Sequence, residues 1–311
     1  MALQEYKYLS VGDLQGLRSY SLTSRRPVHG RYAGRHASPQ RGQSVEFTDY
    51  RPYSPGDEVA DIDWKAYARS DKLFLKLFEH QTDMTVSLLI DGSASMGFRG
   101  IDPGASAGSG RAGHASKFDY ACRVAAGLAY LMTRQRDRVS LAIAQDGLAR
   151  YVEPGATFPH LLSMLEVMER IHPAGQAMLT DALGAMSPRL SRQTLVVVLS
   201  DLHVEPEPLL QELGRLTSRG SRVVVFHLLH PDELSLPPVG EVLFEESESG
   251  ERLTLDTAAA GGRYNELVTR FVAEWSARLK GRGAENYLTP TSTPYVGTIR
   301  GFLRERAGYA G

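Results

Sequence analysis

Short runs that are apolar throughout alternate along the chain with longer stretches in which apolar residues recur every three or four positions. The first kind includes 84–90 (MTVSLLI), 138–145 (RVSLAIAQ), 194–200 (TLVVVLS) and 222–229 (RVVVFHLL). Runs this short and this rich in Val, Ile and Leu predict strands buried on both faces, as in the middle of a parallel sheet. The second kind predicts helices at about 117–135, 158–171, 179–190, 206–219, 263–281 and 297–307. In the first of these, Phe118, Cys122, Ala125, Ala126, Ala129 and Met132 share one face. Asp146-Gly147 predicts a two-residue turn into a short antiparallel strand at 148–152, and Gly220 suits a left-handed helix cap. Segments 241–246 and 252–256 flank Ser-Glu-Ser-Gly as a hairpin. Residues 1–83 carry fewer periodic segments, with a candidate strand at 72–79 (KLFLKLFE).

Repeated strand–helix units predict an α/β fold: a doubly wound, mostly parallel sheet with helices on both faces and one antiparallel edge strand. The expected division is an N-terminal extension packing on the core (1–83), the α/β domain (84–282) and a helical tail (283–311).

A sheet of this kind binds ligands beyond the carboxyl ends of its strands, where the strand order reverses. Two of the buried strands end there in aspartate, Asp91 and Asp201, and in the order 3-2-1-4-5-6 they are neighbours. Asp91-Gly-Ser93-Ala-Ser95 sets one carboxylate and two hydroxyls at alternate positions of a tight loop. Thr180, at the start of the helix 179–190, offers a third contribution. Asp91, Ser93, Ser95, Thr180 and Asp201 form an oxygen-only set that suits Mg²⁺ or Mn²⁺ and disfavours Zn²⁺. Such a set leaves a coordination position for water or for another molecule's carboxylate, so the ion acts as the adhesive of a protein–protein contact. Asp and Ser after a strand also serve as plain caps and turn formers, which leaves a scaffold with an empty site as a rival reading. Convergence of three separate stretches on one sheet edge favours the ion.

The bulk numbers exclude several classes. Over 311 residues, 42% are hydrophobic and 23% charged, and the formal net charge is −1, so no global field points to nucleic acid or a membrane. The 29 Arg against 6 Lys, with only two Asn, read as coding bias. A single cysteine, Cys122, excludes an intramolecular disulfide and a thiolate cluster and reads as a small buried hydrophobe. The N-terminus lacks a signal-peptide layout and no apolar run approaches the ~18 residues of a membrane span, so a cytoplasmic protein is expected. Segment 18–41, with six Arg, two His and no acid, reads as a solvated arm or a dock for an acidic partner.

The D-x-S-x-S loop resembles the first element of the metal-ion-dependent adhesion site (MIDAS) of von Willebrand factor type A domains. Over roughly 30–307 the chain resembles the domain of unknown function 58 (DUF58) family. The resemblance rests on Glu46-Phe47, Arg51-Pro-Tyr53, Pro55-Gly56-Asp57, Ile62-Asp63-Trp64, Ala68-Arg69, the Asp91–Met96 loop, Ser116-Lys117, Asp137-Arg138-Val139, Thr180-Asp181, Ser200-Asp201-Leu202, His230-Pro231 and Phe302-Leu303 with Arg306. It implies a type A fold, a metal-ion adhesion site, and partnership with a MoxR-type AAA+ ATPase in chaperone-like assembly or cofactor insertion. It departs from the family in having Ala60 where a basic residue is usual, and in the long Gly/Ala/Ser-rich stretch 97–116, read as a flap over the ion loop or a tolerated insertion. Trp64 is expected in the core. Asp57 and Asp63 are read as turn caps or as partners of Arg51 and Arg69, on a surface open to the ATPase.

Two motif matches are decoys. Gly104–Gly108 fits G-x-S-x-G and Gly108–Gly113 fits G-x-G-x-x-G, but neither has the adjoining strand its chemistry requires. The histidines show no metal spacing, and Glu241, Glu245, Glu246, Glu248 and Glu251 read as a charged, solvated edge. The enzyme rival is a Mg²⁺-dependent phosphohydrolase of the haloacid dehalogenase type. There Ser93 stands where the general acid is needed, so a non-enzymatic reading is preferred.

Overall fold

A computed structural model of the chain describes residues 6–17, 20, 45–53, 64–70, 72–80, 85–101 and 115–308. It divides into two compact units, one of Met1–Thr23 with Met84–Gly311 and the other of Ser24–Asp83.

The larger unit is built on a six-stranded sheet. Its strands are β3 (Thr85–Asp91), β4 (Arg138–Ala144), β5 (Leu148–Gly155), β6 (Leu195–Ser200), β7 (Arg222–Leu229) and β10 (Ala284–Pro290). The order is β10-β7-β6-β3-β4-β5, which is 3-2-1-4-5-6 when the strands are counted within the sheet. All neighbours are parallel except β4 and β5. The β4–β5 turn takes positive φ at both Asp146 and Gly147, the backbone that matches the twist of a two-residue hairpin. Every residue of β6 is buried, and only the first position of β3, β4 and β7 is not. This is why these strands read as unbroken apolar runs.

Helices cover both faces. On one lie α3 (Lys117–Gln135), α4 (Phe158–Arg170), α9 (Tyr295–Gly308) and α1 (Val11–Leu17). Their apolar sides meet Val86, Leu88, Ile90, Val197 and Leu199 in one cluster. On the other lie α5 (Leu179–Met186), α6 (Pro206–Ser218) and the carboxyl half of α8 (Thr257–Gly281), against Leu89, Val196, Val198 and Val225. Alternate residues of the same strand therefore feed opposite cores, and each core removes apolar surface from water at about 25 cal/mol per Å².

Local chemistry sets the ends of these elements. Helix α3 opens on a capping box, with Ser116 and Asp119 exchanging bonds between side chain and backbone. Helix α6 closes on Gly220 at φ 93°, with the Gly220 and Ser221 amides returning to Thr217 and Leu216. Helix α5 stops at Met186, short of the expected 190, because Pro188 lacks an amide proton and the chain turns through the 3₁₀ segment Ser187–Arg189. Helix α8 begins at Thr257, earlier than the periodicity indicates, because Asp256 caps it.

The largest addition to the sequence reading is β10. AENYLTP has neither alternation nor an apolar run, yet it pairs in parallel with β7 at the sheet edge. Residues 283–311 thus supply an edge strand and α9, whose Ile299 and Phe302 enter the core. Beyond the sheet, α7 (Pro231–Leu234) is a single turn, and β8 (Glu241–Glu245) pairs with β9 (Arg252–Asp256) as a separate hairpin.

In the smaller unit, β1 (Val45–Pro52) pairs antiparallel with β2 (Phe74–His80), and α2 (Trp64–Ser70) lies between them in sequence. Trp64 is 56% exposed, against the expectation of a core residue, and meets Tyr67 edge-on at 6.2 Å. Most of the basic arm 18–41, Asp57, Asp63 and 102–114 of the Gly-rich stretch lie outside the described residues. Among the described residues no helix is long and apolar enough to cross a membrane.

Candidate functional site

Strand β3 delivers Asp91, fully buried, to the carboxyl edge of the sheet beside β6. The chain then turns sharply. Gly92 donates to the Ala144 carbonyl at 2.7 Å, and a Cβ there would stand 3.1 Å from Ile143 and 3.2 Å from that carbonyl, so glycine permits the close approach. Asp91 Oδ1 accepts from the Ser93 amide at 3.0 Å, folding the loop over the carboxylate. The loop is also sewn to the segment before α5, with Ala94 N donating to Gly175 O and Ala174 N to Gly92 O, both at 3.0 Å.

A line of side-chain oxygens leads from the loop to Asp201. Ser93 Oγ and Ser95 Oγ are 3.1 Å apart, and Ser95 Oγ donates to Asp201 Oδ2 at 2.8 Å. From the other side, Ser200 Oγ donates to Asp91 Oδ2 at 2.6 Å and accepts from the Leu202 amide at 2.9 Å. Leu202 adopts φ 58°, a left-handed turn that carries the chain away from the site directly after Asp201. Asp201 Oδ1 accepts from the His203 amide at 3.2 Å.

Four of the five expected ligands, Asp91, Ser93, Ser95 and Asp201, thus form one connected cluster. Thr180 sits half-buried in the first turn of α5, four residues beyond Gln176, whose amide is held by Asp146. It makes no side-chain hydrogen bond to the other four among the described residues.

Three residues of the cluster are not among the expected ligands, although two of them, Lys117 and Ser200, lie in the family signature. Lys117, the first residue of α3, is 0% exposed; its Nζ donates to Asp201 Oδ2 at 2.8 Å and to Glu233 Oε1 at 2.5 Å. Glu233 in turn accepts from the His230 amide at 2.7 Å, closing α7 as a capping box. Ser200 is the third. Lys117 lies 84 positions from Asp201 and 116 from Glu233, and Ser200 ends an apolar run, so no local spacing marks any of the three.

Electrostatics separate the two aspartates. Burial raises the Asp91 carboxyl, and the charge of Asp201 raises it further, against the hydrogen bonds from Ser200 and Ser93. Burial would also raise Asp201, but the Lys117 ammonium, with a smaller contribution from His203, holds it well below the usual carboxylate range. Burial works against the Lys117 charge, and Asp201 and Glu233 outweigh it and raise its pKa. Burial lowers His227 to about 4, leaving it a neutral ring beside the Asp201 carbonyl. The result is one strongly ionised carboxylate with a fixed cation and one carboxylate without.

The donor set fits a small hard cation. With Mg²⁺–O distances of about 2.1 Å, neighbouring octahedral ligand oxygens stand about 3 Å apart. Ser93, Ser95 and Asp201 lie at hydrogen-bond separations of 3.1 Å and 2.8 Å, close enough for one such ion to be shared among them. No cluster of three or more His, Cys, Asp or Glu among the described residues is arranged for a metal, so such an ion depends on these hydroxyls.

The chain is 26% identical over 302 residues to an uncharacterized protein of Mycobacterium tuberculosis, covering 95% of this chain and 90% of the relative. Among solved structures, an aerotolerance-related membrane protein from Bacteroides fragilis matches at 17% identity and TM-score 0.46, over 71% of this chain and 99% of that one. A von Willebrand factor type A protein from Catenulispora acidiphila matches at 11% and TM-score 0.38, over 73% and 43%. The family model described as "Protein of unknown function DUF58" matches residues 49–271, well over half of the chain, and this chain therefore belongs to the DUF58 family.

Proposed function

We propose that this protein is a non-enzymatic, ion-dependent protein-binding module of the cytoplasm. In this reading Asp91, Ser93, Ser95 and Asp201, with Thr180 from α5, hold a Mg²⁺ or Mn²⁺ ion at the carboxyl edge of the sheet. The bound ion supplies a Lewis-acidic position that takes a carboxylate from a partner. The chain's own residues orient the site: Ser200 and the Ser93 amide fix Asp91, Ser95 ties the loop to β6, and Lys117 fixes Asp201. The single observation that carries the reading is the unbroken line of oxygens at hydrogen-bond spacing from Ser93 through Ser95 to Asp201. The resemblance of the family signature points to a MoxR-type AAA+ ATPase, or that ATPase's client, as the partner, and to a chaperone-like role.

The test pairs calorimetric Mg²⁺ titration with pull-down of a co-expressed MoxR-type ATPase, with and without chelator. The expected result is Mg²⁺ binding and chelator-sensitive capture by the native chain, both lost in Asp91→Ala. Capture at full strength by Asp91→Ala refutes the reading. Turnover of phosphate esters that disappears in Asp91→Ala would replace it with the phosphohydrolase alternative.

A further inference from the structure

Lysine is seldom fully buried unless paired, and a cation at the first position of a helix opposes the positive end of the helix dipole. Lys117 occupies both unfavourable places at once, fully buried at the start of α3. What compensates is a pair of carboxylates from distant elements, Asp201 at the end of β6 and Glu233 in α7, with Nζ also 5.8 Å from the centre of the Phe98 ring. Glu233 is fixed by the His230 amide, and the same short helix uses Asp232 to hold the Ile101 amide at 2.8 Å. The chain leaving the ion loop at 98–101, the start of α3 and the loop after β7 are thereby fastened around one ammonium group. Gly100 allows the fit, because at φ 99° a Cβ there would stand 2.6 Å from His230.

Asp201 Oδ2 therefore accepts from both Ser95 and Lys117. An incoming divalent ion must take over the Ser95 hydroxyl oxygen and share Asp201 with a tethered positive charge in a low-dielectric site, where like charges repel strongly. We infer that Lys117 is the affinity- and specificity-setting residue of the proposed ion site: a built-in counter-ion that keeps the sheet edge assembled without metal and holds metal affinity low until a partner's anionic group joins. The inference rests on the ion-site reading above and adds the source of the site's weakness for metal alone. By linkage, a partner carboxylate that offsets the excess positive charge raises ion affinity, and the ion raises the partner's affinity by the same factor.

The experiment compares the full chain, Lys117→Met and Lys117→Arg by thermal unfolding in chelator and by calorimetric titration with Mg²⁺ alone. Lys117→Met removes the charge at similar volume. It is expected to melt below the native chain in chelator, to regain stability with Mg²⁺, and to bind Mg²⁺ at least tenfold more tightly than the native chain. Lys117→Arg keeps the charge and is expected to bind Mg²⁺ within a few-fold of native. Should Lys117→Met fold only when Mg²⁺ is present, the ion has taken over the counter-ion's place, which supports the inference. Equal Mg²⁺ affinity in the native chain and Lys117→Met overturns the inference and leaves the ion site standing. Absence of Mg²⁺ binding in every variant overturns the ion site itself.

Discussion

Replacing Ser200 by alanine isolates what keeps Asp91 ionised and in place. The Ser200 hydroxyl does two things: it donates to Asp91 Oδ2 at 2.6 Å and accepts from the Leu202 amide at 2.9 Å, with all three groups buried. A hydrogen bond to a charged group contributes about 1.5–3 kcal/mol, and a buried amide left without an acceptor costs about 1–3 kcal/mol. The two losses sum to roughly 2.5–6 kcal/mol, a large share of the ~5–15 kcal/mol that holds a domain together. Leu202 adds to the sensitivity, since its left-handed backbone loses one of its anchors. Urea unfolding of the native chain, Ser200→Ala, Asp91→Ala and the double variant, followed by circular dichroism, gives both the loss and the coupling. The coupling between the two positions is expected at about 1.5–3 kcal/mol, the value of the charged hydrogen bond. A Ser200→Ala loss under ~1 kcal/mol, or a coupling under ~0.5 kcal/mol, would show that Ser200 does not hold Asp91 and that the chain of bonds across the two strand ends is incidental.

Two further outcomes follow from the same structure. Gly127 lies where α3 meets α1 and α9; an added Cβ would stand 2.5 Å from Ile299 Cδ1. Gly127→Ala gains about 1 kcal/mol in helix propensity but loses about 1–3 kcal/mol to overpacking, so a net loss of about 1 kcal/mol is expected in denaturant melts, relieved by Ile299→Val, which deletes the offending methyl. Burial raises Asp119, yet the Lys7 ammonium, the Ser116 amide and the Tyr8 hydroxyl outweigh it and bring it down to about 2. A carboxyl depressed on folding stabilises above its unfolded value near 3.9, and that contribution fades as pH falls from about 4 through 2. Because Lys7 is half-exposed, about 1–2 kcal/mol is expected to fade over that window and to be missing in Asp119→Asn at neutral pH; equal acid sensitivity of native and variant would contradict it.

The central strands and the β4–β5 turn were legible because each depends on short-range pattern, and the sheet order and the adjacent aspartates followed from the doubly wound topology those elements imply. A strand buried on both faces has no polar alternation, a two-residue turn demands positive φ, and a doubly wound sheet places its strand ends on one edge. Strand β10 was not legible, because an edge strand needs little apolar surface and Ala284–Pro290 has little to show; only pairing with β7 makes it a strand. Trp64 was misread for the opposite reason, since a large aromatic carries no mark of whether another element will cover it. Lys117 is the clearest case of what tertiary structure alone decides. In the sequence it is a polar residue of the family signature with no stated role, and the carboxylates that make it a buried cation come from positions 201 and 233. Local order arises from forces acting over one turn or one strand, which the sequence spells out. The charge balance of the site arises from groups brought within 3 Å by the whole fold, and no segment contains it.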